Sequence, residues 1–88
     1  MVWSVEWDEA ALRDIKSLHK QIQERVFDYI DERILPAEHP RQFGKGLSAN
    51  KSGLWRYRVG DYRILCNLID DKSIIQILAV GHRKDVYE

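Results

Sequence analysis

Hydrophobic residues alternate with polar ones over Val2–Trp7 ("VWSVEW"), the period-two pattern of a half-buried β-strand. Beyond Asp8 the period changes. Ala11, Leu12, Ile15 and Leu18 recur at three- and four-residue spacing, which predicts an amphipathic helix with Asp8 as N-cap and Glu9 in the first turn. Ile22, Val26, Tyr29, Ile30 and Ile34 continue that spacing into a second helix. A break near His19 and Lys20 makes the pair either one bent helix or a helical hairpin. Pro36 and Pro40 end helical structure, and "AEHPRQFGKGLSANKSG" (37–53) reads as a long connection.

Three β-rich runs follow, Leu54–Val59, Tyr62–Ile69 and Ser73–Val80, separated by "GD" and "DDK". Connections this short join antiparallel strands, so the last third of the chain is a three-strand meander. Gly81 is expected to end its final strand. A strand, two helices and then three strands predict an α+β fold with the helices segregated beside a mostly antiparallel sheet.

The chain has 88 residues, enough for one domain and one core. Its 44% hydrophobic content excludes a disordered polymer. No apolar run approaches the roughly 20 residues that cross a bilayer. "MVWSVEWDEA" lacks a basic region before an apolar block, so no secretory signal is expected. Cys66 stands alone, which rules out an intramolecular disulfide and fits a reducing cytoplasm.

Charge adds an asymmetry that the net value of zero conceals. Residues 1–38 hold five basic and nine acidic side chains, a balance of −4, and residues 39–88 hold nine and five, a balance of +4. The second half is therefore the part suited to phosphate.

That charge concentrates in "GLWRYRVGDYR" (53–63). Gly60 at the first position of a two-residue loop suits a type II′ turn. The register follows: Val59 faces Tyr62, Arg58 faces Arg63, Tyr57 faces Ile64 and Arg56 faces Leu65. Trp55, Tyr57, Ile64 and Cys66 then share one face, and Arg56, Arg58 and Arg63 share the other. Directly opposed arginines, with Cβ atoms roughly 5 Å apart, repel one another and destabilise a sheet. An anion between them reverses the sign, because guanidinium forks match phosphate oxygens. The plain alternative is that the long side chains splay into water and cover the sheet with their stems.

Other chemistry is thin. His19 and His39 lack metal-ligand spacing and no Cys/His cluster exists, so no metal or other cofactor is expected. Cys66 reads as a core thiol, and Trp3, Trp7 and Trp55 read as core.

"LWRYRVGDYR" followed by a terminal "GHRKDVY" resembles the RelE branch of the RelE/ParE toxin superfamily, the toxin halves of bacterial and archaeal toxin–antitoxin pairs. "VEWDEAALRDIKSL" is similar to that family's opening strand and first helix, and "LPAEHPRQFGKGLSANKSG" to its connection into the sheet. The resemblance implies a single domain with two helices packed on one sheet face. It also implies a ribosome-dependent endoribonuclease, with no metal, that cuts messenger RNA in the small-subunit decoding site. The substrate's own 2′-hydroxyl is the nucleophile and a 2′,3′-cyclic phosphate remains. A cognate antitoxin would neutralise the chain by wrapping it, and operator DNA would be met only through that complex.

Carried over by position, Arg56 and Arg58 stand where the family has basic residues before the turn. Arg63 stands at the arginine after it, Arg83 at the C-terminal arginine and Tyr87 at a terminal aromatic. The departure is that the family's well-studied pattern has lysines before the turn, one of them proposed as general base. Arginine is too basic for that role, so Arg56 and Arg58 suit charge stabilisation. His82 supplies the nearby imidazole, a side chain of the type that moves protons at neutral pH; otherwise it is a solvated histidine past a strand. Tyr87 either stacks on a base, positions the 2′-hydroxyl or pins the terminus to the core. Lys45 and Lys51 are candidate contacts to RNA backbone, and otherwise solvated. Glu24, Asp28, Asp31 and Glu32 form a solvated helix face or a surface for a basic antitoxin segment. A ParE-like toxin that stalls DNA gyrase without cleavage, or an inactive antitoxin-binding relative, would share this fold.

Overall fold

A computed structural model describes residues 2–47 and 53–83. Strand β1 (Ser4–Trp7) leads through Asp8 into helix α1 (Glu9–Lys16). Asp8 holds the N-cap position, but its side chain makes no capping bond. Its backbone does the work of the junction, with N–H donating to the Ile77 carbonyl at 2.9 Å and C=O accepting from Leu12 at 3.0 Å. Ser17–His19 breaks the helical run, and α2 (Lys20–Tyr29) follows, so the helices form a hairpin. The second continues as a π-helical turn, Ile30–Ile34, closed by Leu35 N–H donating to the Ile30 carbonyl.

The expected loop over 37–53 holds more structure than its composition suggests. Pro40–Gln42 is a 3₁₀ turn, and Lys45–Gly46 forms a two-residue strand, β2. Next come β3 (Leu54–Val59) and β4 (Tyr62–Ile69), then a 3₁₀ turn at Asp70–Lys72 and β5 (Ile74–His82). The sheet is five-stranded in the order β1-β5-β4-β3-β2, with β1 parallel to β5 and the other pairs antiparallel. Two sequence expectations about β5 are corrected. Ser73 lies in the turn, in a left-handed conformation (φ 54°), and Gly81 does not end the strand, which runs on to His82.

The hairpin register matches the one derived from the two-residue loop, including Arg58 opposite Arg63. Gly60 has φ +58°, as the first position of a type II′ turn requires. Along β4 and β5 the pairing slips once: Cys66 faces Ile77 but Leu65 faces Ala79, leaving Leu78 as the extra residue of a bulge. Asp14 of α1 reaches this point, its Oδ2 accepting from Val80 N–H at 3.0 Å.

Both helices cover one sheet face. Ala11, Ile15, Val26, Ile30 and Ile34 meet Tyr57, Ile64, Cys66, Leu68, Ile75, Ile77 and Val80 in the core. Fully burying aliphatic side chains of this kind contributes about 1.5–3 kcal/mol each. Leu12, expected in that stripe, is instead 37% exposed. The three tryptophans pack at the core's margin, half-buried. The Cys66 thiol is fully buried and its pKa is pushed up to about 12 by that burial, so it stays an unreactive core thiol at neutral pH. No helix among the described residues is long and apolar enough to cross a membrane.

Candidate nucleic-acid interface

Alternation along β3 and β4 sends Arg56, Arg58 and Arg63 to the sheet face opposite the helices. On β5 Gly81 lies opposite Arg63 and adds no side chain to that face. Arg83 follows, its N–H donating to the Asp61 carbonyl at 2.7 Å, which holds it against the β3–β4 turn. Four arginines are thus carried to one place by three consecutive strands.

Their mutual influence is visible at Arg63. This side chain is only 5% exposed, whereas Arg58 is exposed and Arg56 half-buried. Burial holds the Arg63 guanidinium below the ordinary arginine range, and repulsion from Arg58, Arg56 and Arg83 adds to it, with Asp61 pulling the other way. It remains a cation at neutral pH. A nearly buried cation surrounded by three others is costly in isolation and favourable beside an anion.

The other candidates divide. Tyr87 and Lys51 lie outside the described residues. Lys45 is exposed on β2 and pairs with Arg56, so it joins the basic face at the sheet edge. His82 is not brought to the arginines. It pairs with Tyr62, the two rings meeting edge to face at 5.5 Å, and the register sets it on the face of Ile64 and Val80. The acidic side chains Glu24, Asp28, Asp31 and Glu32 are all exposed.

Several supporting residues gave no signal in the sequence. Arg41 donates from Nη1 and Nη2 to both carboxylate oxygens of Asp70, at 2.8 and 2.9 Å, tying the long connection to the β4–β5 turn. Its guanidinium also lies 5.8 Å from the Trp55 ring. Trp55 Nε1 donates to the Phe43 carbonyl at 2.7 Å, and the buried Tyr57 hydroxyl donates to the Pro40 carbonyl at 2.6 Å. These bonds press the connection onto β3 and set the path of Gly44 and Lys45. Such contacts link positions 12 to 29 residues apart, beyond the reach of any local pattern. No group of three or more His, Cys, Asp or Glu side chains among the described residues is placed to hold a metal.

The described residues thus form a small α+β domain with a single helical layer and a basic outer sheet face. Residues 5–87 match the family model described as the ParE toxin of type II toxin–antitoxin systems, parDE. The chain is 30% identical to Toxin RelG of Mycobacterium tuberculosis over 87 residues, 99% of this chain and 98% of that protein. Among solved structures, it resembles the M. tuberculosis toxin–antitoxin complex RelBE2, with TM-score 0.84, 28% identity, and coverage of 94% of this chain and 100% of that one. An archaeal RelE–RelB complex from Pyrococcus horikoshii gives TM-score 0.69 at 25% identity, covering 98% and 100%. The isolated Escherichia coli RelE toxin shares the fold, with TM-score 0.69 at 18% identity, covering 91% and 83%. The chain belongs to the RelE/ParE superfamily of toxins from type II toxin–antitoxin systems.

Proposed function

We propose that the chain is the toxin of such a pair and acts as a ribosome-dependent endoribonuclease on messenger RNA, held inactive by a cognate antitoxin. The convergence of Arg56, Arg58, Arg63 and Arg83 on one sheet face carries this reading. In the proposed reaction the 2′-oxygen attacks the adjacent phosphorus. The P–O2′ bond forms, the P–O5′ bond breaks, and a 2′,3′-cyclic phosphate and a 5′-hydroxyl result. The phosphodiester gains a second negative charge on the way, and the arginine face is fixed in place before it develops. Removing one such donor from a catalytic site costs on the order of 10²–10³ in rate.

Proton transfer has no assigned owner among the described residues. A guanidinium is no general base, and His82 faces the other way. Water or a ribosomal group therefore takes the 2′-hydroxyl proton and returns one to the leaving 5′-oxygen, unless Tyr87 serves there. Such a chain should cut poorly without the ribosome to align the RNA.

Arg63→Ala or Arg83→Ala should relieve growth arrest while circular dichroism shows a folded chain. Full toxicity in both folded variants would refute the assignment. A second reading, suggested by the description of the matching family model, is a ParE-like poison of DNA gyrase. Primer extension on messenger RNA after induction separates the two: discrete cuts support the nuclease, and DNA damage without cuts supports the poison.

A further inference from the structure

β2 pairs with Trp55 and Arg56, Leu47 N–H donates to the Leu54 carbonyl at 3.3 Å, and this pairing stops short of Tyr57–Val59. There the surface sinks into a cleft of about 370 Å³ lined by Tyr29, Gly44, Lys45, Arg56 and Arg58. Arg56 and Arg58 thus serve both the outer face and the cleft, which lies about one strand spacing, roughly 4.8 Å, beyond the strand of Arg63.

The walls of the cleft have distinct characters. Lys45, Arg56 and Arg58 supply positive charge. Tyr29 supplies a half-exposed ring braced from behind by Tyr57, with ring centroids 6.1 Å apart. Gly44 supplies bare backbone: its φ is +81°, and a Cβ there would meet the Arg56 carbonyl oxygen and Trp55 Nε1 at 2.5 Å. The cleft's volume sits at the small end of ligand sites, room for one nucleotide and not a helix.

We propose that this cleft is a single-nucleotide subsite, in which the nucleotide next to the scissile phosphate packs its base on Tyr29 and its phosphate against Lys45 and Arg58. The substrate class rests on the nuclease reading above. An aromatic platform beside cations is the arrangement that holds single-stranded nucleic acid. An acidic protein segment would use the cations and leave the ring idle.

The test titrates the full-length toxin with a 2′-O-methyl trinucleotide, which lacks the nucleophile, and follows backbone amides by NMR. Shifts at Gly44 and Lys45 are expected, with binding weakened about tenfold by Tyr29→Leu and by Lys45→Glu, the size of one lost stacking or charge contact. Tyr29→Phe, which keeps the ring, should retain the shifts and guards against a packing artefact. Shifts confined to residues around Arg63 would overturn the subsite, as would an acidic peptide that fills the cleft when the trinucleotide does not. Cleavage on programmed ribosomes keeps the two ideas apart. Cuts with Gly44 and Lys45 unmoved sink the subsite alone, and cleft binding without cuts sinks the nuclease, leaving a nucleotide-binding cleft with no scissile phosphate beside it.

Discussion

Replacing Arg58 by glutamine should make the protein more stable and less toxic. Arg58 sits directly opposite Arg63, and the charge on Arg63 is disfavoured by its burial and by Arg58 first among its neighbours. Like charges in this cross-strand position cost about 0.2–1 kcal/mol. For a domain of this size that corresponds to a gain of about 1–8 °C in Tm. Glutamine keeps part of the stem that shields the sheet, so the gain isolates the charge. The assay is thermal unfolding of both proteins at low and moderate salt. Screening lengths fall from about 30 Å at 0.01 M to about 10 Å at 0.1 M, so added salt should raise the wild-type Tm more than the variant's and narrow the gap. Inorganic phosphate at constant ionic strength should also stabilise the wild type more. A variant less stable than wild type at low salt, or an identical response of both to salt and phosphate, would refute the idea that these arginines are held together against their repulsion for an anion.

Two further outcomes follow from contacts outside the arginine face. Asp14→Ala removes the acceptor of Val80 N–H in a residue only 3% exposed; an unsatisfied buried donor costs about 1–3 kcal/mol, so Tm should fall by about 5–20 °C, Asp14→Asn should recover much of it, and faster amide exchange at Val80 would locate the loss. The Arg41 hydrogen bonds hold the Asp70 carboxyl below its usual range. Because the folded value is the depressed one, this contribution is complete above the unfolded value of about 3.9 and fades as pH falls through the folded value; Asp70→Asn should lose that part of the acid dependence in circular-dichroism titrations from pH 5 downward.

The β3–β4 hairpin was readable from sequence because a two-residue loop leaves one register, and strict alternation then fixes which side chains share a face. Core positions at helical spacing were readable for the same reason, except Leu12, which lies at the margin of the stripe. β2 was not readable. Lys45 and Gly46 are too few to alternate, and they are placed by the Trp55–Phe43 and Tyr57–Pro40 bonds. His82 was misplaced by proximity in sequence: it adjoins Arg83 along the chain and faces away from it in the sheet. Arg41 and Asp70 look like ordinary surface charges until the fold brings them together.

The single extra residue at Leu78 decides the character of the chain's end. Were β5 paired with β4 without a slip, Ala79 would fall opposite Ile64 and every later residue would change sides. His82 would then stand beside the Asp61 turn among the arginines, and Arg83 would point toward the helices. The slip therefore exchanges an imidazole for a guanidinium in the outer cluster. Asp14, anchored on a helix remote from that cluster, fastens the backbone just where the exchange is made. Deleting Leu78 should close the bulge and keep His82 opposite Tyr62, leaving the outer cluster's chemistry unchanged.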